Sequence, residues 1–308
     1  MVRWLIRRFV GRASGCGTAV AGAALDKFTL TVDYDADGES FCESCGVWVR
    51  QLGARTAETT VGDARFANLD HPVKVLGSDA LEITVDPQQG GQVLEIWDKR
   101  NRTNQLTVDY DKLGNLASIP FAYCLWSAVQ VMGVEGGKPP WPSFRRGSRF
   151  GAKAVDGGLV LTANARGVRL TETMTLAGAK FGWKVAAENG TGGTAKMRWH
   201  VHPEYTPAGA ADSYQDYMLI PTAKGEYKLV FWSGLGERRL DDITDGWWRM
   251  IDPKAGVEIR QDFAKDAFEV PKPWFGIGAW NVEMYTKIVD VKPGDAFAAE
   301  LVWEFAVK

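Results

Sequence analysis

No run of about 18 apolar residues occurs in the 308-residue sequence, so no transmembrane helix is expected. A basic excess is missing too. Formal net charge is −2 and the sequence pI is about 6.0. That argues against a dedicated nucleic-acid binder, which carries a basic patch or stripe. The sequence holds no G-x-S-x-G elbow, no phosphate-binding G-x-x-x-x-G-K-[ST] loop and no G-x-G-x-x-G. "GGQ" at Gly90 to Gln92 is not followed by a helix, so it reads as a turn or bulge rather than a phosphate cradle. Convincing long amphipathic helices are absent as well.

Cysteine is scarce: Cys16, Cys42, Cys45 and Cys124. "FCESCGVW" has C-x-x-C spacing. A structural zinc site wants four ligands, and no second pair exists. Haem attachment needs a histidine after the second cysteine, where Gly46 stands. A thioredoxin-like reading needs a βαβ setting, and the surroundings read as strands. The pair is taken as structural or free, with no metal and no cofactor expected.

Histidine is scarcer still, and two of the three sit in "MRWHVHPEYTPAG" as His200 and His202; the other is His71. Two histidines at i and i+2 on a strand can share a cation, but no further ligand cluster accompanies them.

What the sequence does have is ordinary apolar content, 45%, and many aromatics: 13 Trp, 8 Tyr and 14 Phe. Tryptophan in excess suits a core, and also a surface that stacks on sugar rings. Short alternating β-rich segments dominate, separated by Gly, Pro, Asn and Asp. They include "KFTLTVDYD", "LEITVD", "GQVLEIWDK", "VRLTETMTLA", "AKMRWHVHPEY", "GWWRMID", "AWNVEMYTKIV" and "AFAAELVWEFAVK". So many strands predict an all-β chain, a large sandwich or barrel. Residues 1–26 read as a leader, 27–70 as a small β segment that either joins the main domain or stands apart, and 71–308 as the main domain. The leader begins basic, carries Arg7 and Arg8 and ends in small residues, like an export signal. Arg12 interrupts its apolar stretch, so a frayed leader or the stub of an upstream domain is the other reading. Both a cytoplasmic and an exported location stay open.

Alternation assigns faces, since side chains at i and i+2 share one side of a strand. Met197, Trp199 and Val201 fall on one face, and Arg198, His200 and His202 on the other. Trp280, Val282 and Met284 oppose Asn281, Glu283 and Tyr285. Phe297, Leu301, Trp303, Phe305 and Val307 should face the core.

Three stretches carry a family resemblance. "PQQGGQVLEIWDKRNRTNQL" resembles the opening strands of the galactose-mutarotase-like fold. "RWHVHPEY" is similar to the His-Pro-x-Tyr/Phe element of aldose epimerases. "VEMYTKIVDVKPGDAFAAELVWEF" looks like that fold's C-terminal Glu-bearing strand, turn and final strand. The resemblance spans roughly residues 72–308. It implies an all-β galactose mutarotase-like β-supersandwich of two large, mostly antiparallel sheets, with a mono- or oligosaccharide on the concave face. It also implies a mechanism in which a glutamate takes the anomeric proton and a histidine donates one to the ring oxygen. Carried over by position, Glu283 is the base and His202 the acid. Arg198, His200 and Tyr285 join them as candidate sugar ligands, with Trp141 and Arg145 from the loop "KPPWPSFRR" and Trp248 from "GWWRMID". Trp247 and Trp248 alternate, so at most one of them meets a ligand. Trp141 otherwise packs on the sandwich rim.

This sequence departs from the classical pattern in two places. "QVMGVEGGKPPWPSFRRG" has no histidine where mutarotases carry an early one, and "NVEMYTK" lacks the proline that often follows the family's glutamate. That leaves a second reading from another class: a non-catalytic carbohydrate-binding or accessory domain of a polysaccharide-processing glycoside hydrolase or lyase system.

Overall fold

The computed structural model describes residues 24–307 apart from 37–38, 67–68, 111–124, 139–142, 145–147, 208–214, 231–235, 238–241 and 277–278. The leader, Cys16, Cys124, Trp141 and Arg145 lie outside the described residues.

The strands run, in chain order, β1 (Ala24–Ala36), β2 (Glu39–Gln51), β3 (Thr60–Ala64), β4 (Val73–Gly77), β5 (Leu81–Asp86), β6 (Gln92–Asp98), β7 (Thr103–Asn104), β8 (Leu125–Val134), β9 (Ser143–Phe144), β10 (Gly151–Val155), β11 (Gly158–Ala165), β12 (Val168–Ala177), β13 (Lys180–Asn189), β14 (Ala195–Tyr205), β15 (Tyr217–Thr222), β16 (Gly225–Val230), β17 (Gly236–Glu237), β18 (Trp247–Asp252), β19 (Val257–Phe263), β20 (Lys272–Gly276), β21 (Ala279–Tyr285), β22 (Val289–Val291) and β23 (Ala296–Val307). Nine form one sheet, in the order β10-β11-β12-β13-β23-β19-β18-β15-β16. Twelve form the other, whose main path is β17-β20-β21-β14-β8-β6-β5-β4-β3. Neighbouring strands pair antiparallel. The chain is an all-β sandwich of two large sheets.

The twelve-stranded sheet begins before residue 71, because β3 pairs along β4 from Thr60↔Gly77 to Ala64↔Val73. β1 and β2 make a separate hairpin that holds Cys42 and Cys45 in β2. The hairpin meets the large sheet through a small apolar cluster of Leu25, Phe66, Leu69, Val73 and Leu94, with Trp48 and Tyr110 packed against it.

Alternation builds the main core. β12 buries Val168, Leu170, Met174 and Leu176 on one face and leaves Arg169 and Thr175 exposed. Trp183 from β13 meets Trp199 from β14 edge-on, centroids 6.0 Å apart, which ties the two sheets together. Trp303 from β23 stacks on Phe181 and donates its indole N–H to the Tyr205 hydroxyl at 2.5 Å. Truncating any one of these fully buried indoles should cost about 3–5 kcal/mol.

Phe297, Leu301, Trp303 and Phe305 are buried, as alternation requires. Val307 is not: it is 38% exposed, because it pairs only with Val257 at the last rung of β23. "GGQ" is a turn. Gly90 and Gly91 both have positive φ, 80° and 68°, after the short 3-10 turn Pro87–Gln89. A Cβ on Gly91 would lie 2.7 Å from Leu161.

Candidate active site

The side of the large sheet turned away from the main core gathers the predicted polar residues. β14 and β21 are neighbours, with His200 opposite Tyr285 and Glu204 opposite Asn281. On the other flank β8 places Trp126 opposite His202 and Gln130 opposite Arg198. Met197, Trp199, Val201, Trp280, Val282 and Met284 are all fully buried on the opposite side. The backbone register alone therefore puts Arg198, His200, His202, Glu283 and Tyr285 on one surface.

Glu283 is the hub. Its Oε1 lies 3.4 Å from His202 Nε2, and its Oε2 lies 3.6 Å from His200 Nε2. The Tyr285 hydroxyl donates to Oε2 at 2.7 Å. Burial pushes the Glu283 carboxyl upward, but His200, His202 and Tyr285 outweigh it and hold the group well below the usual carboxylate range. Burial pushes the His200 imidazole down; Glu283 pulls it partway back, and the net shift is downward. Tyr285 is pushed up by burial and by the carboxylate it faces.

Beneath this pair lies a second carboxyl. Glu204 Oε1 is 3.6 Å from His202 Nδ1 and accepts from Asn281 Nδ2 at 3.3 Å. Burial raises Glu204 to about 8, so it is a neutral acid at pH 7. Asn281 Nδ2 also sits 2.6 Å from His202 Nε2. The same Nδ2 lies 3.3 Å from His202 Nδ1.

Aromatic rings fix the imidazoles. Trp126 stacks on His202 with centroids 5.0 Å apart, and Tyr285 stacks on His200 at 4.0 Å. Arg198 lies over the Tyr285 ring at 4.8 Å and donates from Nε to Gln130 at 2.7 Å. Lys272 Nζ is 5.1 Å from the same ring. Access is uneven: the Glu283 side chain is 27% exposed, whereas those of His200 and His202 are 7% and 4% exposed.

One predicted ligand is not here. Trp248 lies on β18 of the nine-stranded sheet, is fully buried and packs edge-on against Tyr205 at 5.7 Å. It is a core residue. Its neighbour Trp247 points the other way, between Arg249 and Arg260. Conversely, Trp126, Gln130, Glu204 and Asn281 complete the cluster and were missed as site residues. Asn281 was placed on the right face without a role. Trp126 and Gln130 lie in "LWSAVQVMGV", which is β8 in the structure and is not among the strands the sequence pattern predicts.

Solved structures of this shape are known. A galactose mutarotase-like protein from Clostridium acetobutylicum superposes with a TM-score of 0.62, covering 82% of this chain and 99% of its own, at 9% identity. This is the galactose mutarotase-like fold. A galactose mutarotase-like protein from Lactobacillus casei matches at TM-score 0.59 and 12% identity, over 76% of this chain and all of its own. A putative aldose 1-epimerase from Escherichia coli K12 matches at 0.51 and 14%, over 81% and 100%. No family model and no curated protein sequence matches the chain. The galactose mutarotase-like fold is thus carried by a sequence with little residue-level likeness to these structures. Among the described residues no helix is long and apolar enough to cross a membrane.

Proposed function

We propose that the protein binds a carbohydrate over Glu283, His202 and Tyr285 and acts on it with aldose epimerase-like acid/base chemistry, as an isomerase. The observation that supports this is the approach of Glu283 to His202, 3.4 Å apart on adjoining strands, with Glu283 the more accessible. In the proposed reaction Glu283 takes the proton of the anomeric hydroxyl. His202 gives a proton to the ring oxygen, and the bond from the anomeric carbon to that oxygen breaks. The open-chain aldehyde turns and recloses with the proton movements reversed.

In the free protein His200, His202 and Tyr285 together hold the Glu283 carboxyl low, which makes it a weak base. A sugar hydroxyl entering between Glu283 and His202 would take over part of that hydrogen bonding. The carboxylate would then regain basicity where the proton moves.

A second reading, a saccharide-binding domain without catalysis, draws support from the covered imidazoles. A panel of freshly dissolved aldoses followed by polarimetry separates the two. Catalysed equilibration that is lost in Glu283→Gln supports the isomerase. Binding with no acceleration for any aldose supports the binding domain.

A further inference from the structure

The face that carries Glu283 continues beyond the catalytic cluster. Past Leu125, residues 103–107 take the place of β8 between β6 and β14. The Gln105 amide donates to Ile96 at 2.8 Å, the Thr107 amide to Glu204 at 2.9 Å and the Thr206 amide to Gln105 at 3.0 Å. Leu106 bridges Tyr205, and both belong to the main core. Thr107 and Glu204, one step away on each strand, therefore lie side by side on the opposite face.

Thr107 and Thr206 line a cavity of about 770 Å³, walled by Trp48, Trp97 and Tyr110. That volume falls within the range of small-ligand sites, about 300–1,000 Å³. Four backbone steps of extended chain lead from His202 to Thr206, a span of about 13 Å.

The chemistry of this cavity is one-sided. Trp97 Nε1 and Thr107 Oγ1 are buried donors without a partner among the described residues. Arg50 is spent on Glu82 and Glu95, both at 2.8 Å. Arg102 is exposed at the rim; its amide donates to Asp98 at 2.8 Å, and its side chain makes no ion pair or hydrogen bond among the described residues. Its φ is 60°, a conformation that costs an L-residue about 1–2 kcal/mol and that glycine adopts freely. Backbone geometry does not favour arginine there. Among the described residues no aspartate or glutamate lines the cavity.

We propose that this cavity is a second subsite, which holds a further unit of an acidic oligosaccharide: a hexuronate whose carboxylate pairs with Arg102 while its ring lies on the Trp97 indole. This rests on the carbohydrate reading of the Glu283 face. One free cation suits a carboxylate, and an indole face suits the apolar side of a pyranose.

The test is calorimetric binding of trigalacturonate and trimannuronate, with galactotriose and mannotriose as neutral counterparts. It is run on the full chain, on Arg102→Gly and on Trp97→Leu. The expected result is at least about tenfold tighter binding of the acidic trimers by the wild type. Arg102→Gly should erase that preference with thermal stability unchanged or raised, since glycine fits the backbone. Trp97→Leu should weaken all four trimers. Equal binding of acidic and neutral trimers, absence of trimer binding, or an acidic preference intact in Arg102→Gly would each overturn the proposal. If single aldoses are still equilibrated in that case, only the subsite falls. If the Arg102-dependent preference is found and no aldose is equilibrated, the isomerase reading falls and the subsite stands.

Discussion

Trp126 lies almost parallel to His202, with an interplanar angle of 17° and centroids 5.0 Å apart. The indole is the cross-strand neighbour of the histidine, so the β8–β14 register fixes the imidazole that is proposed to move a proton. A stacked pair of this kind contributes about 0.5–1.5 kcal/mol. With three histidines in the chain, ring proton NMR reads the contact directly. The His202 ring signals should lie upfield in the wild type and shift downfield in Trp126→Leu, while those of His71 stay in place.

The same spectra give a pH test. Burial depresses His200, and Glu283 offsets part of that depression. His200 should therefore titrate below the ordinary imidazole value in the wild type. In Glu283→Gln, with the offset removed, it should titrate lower still. His71 runs the other way: burial lowers it, but Asp70 and Asp86 at 2.9 Å each raise it further, and the net shift is upward. Asp86→Asn should bring His71 down.

Glu172 is a carboxyl sealed between the sheets, receiving the Trp183 indole N–H at 3.2 Å and facing the Ser127 hydroxyl at 3.5 Å. Burial raises it to about 8. A carboxyl raised on folding keeps its proton in the fold while the unfolded chain loses one. Stability from this group is complete below the unfolded value and is lost as pH rises toward 8. Glu204 acts in the same direction. Thermal melts should show stability falling between about pH 5 and 8. Glu172→Gln should flatten that slope and stabilise the protein at pH 8 by an amount on the order of a few kcal/mol.

Arg50 joins the hairpin to the large sheet, with its side chain 4% exposed and both Glu82 and Glu95 within 2.8 Å. Arg50→Met leaves the buried Glu95 without its cation, and Glu82 with only Lys99, at 3.5 Å. Breaking such a pair costs about 3–5 kcal/mol. Denaturant titration should show that loss, and Arg50→Met with Glu82→Gln and Glu95→Gln should recover most of it.

How much of this was legible in the sequence depends on which contacts are local. β14 runs over the same eleven residues as "AKMRWHVHPEY", and strict alternation placed Arg198, His200 and His202 on one face. Alternation on β21 did the same for Glu283 and Tyr285. Adjacency of the two strands is not in the pattern; it is a finding of the structure, while the family resemblance supplies only the pairing of roles between Glu283 and His202. Trp248 shows the limit in the other direction. Its strand was recognised, but which side of β18 faces the partner sheet depends on packing with Tyr205 from another sheet. Glu204 and Trp126 join the site only through pairing across strands, which no single segment encodes. The cavity beside Thr107 is further removed still, because it needs the hairpin, β6 and the end of β14 together.

The proton-transfer role of Glu283 is tested most directly by single-sugar kinetics. For the aldose that the wild type equilibrates fastest, polarimetric rates and calorimetric affinities are measured on wild type and Glu283→Gln. The predicted result is a kcat lowered by about 10²–10⁴-fold with sugar affinity kept within a few-fold, as for removal of a general base. Unchanged kcat in Glu283→Gln, or a wild type that accelerates no aldose, would contradict the account.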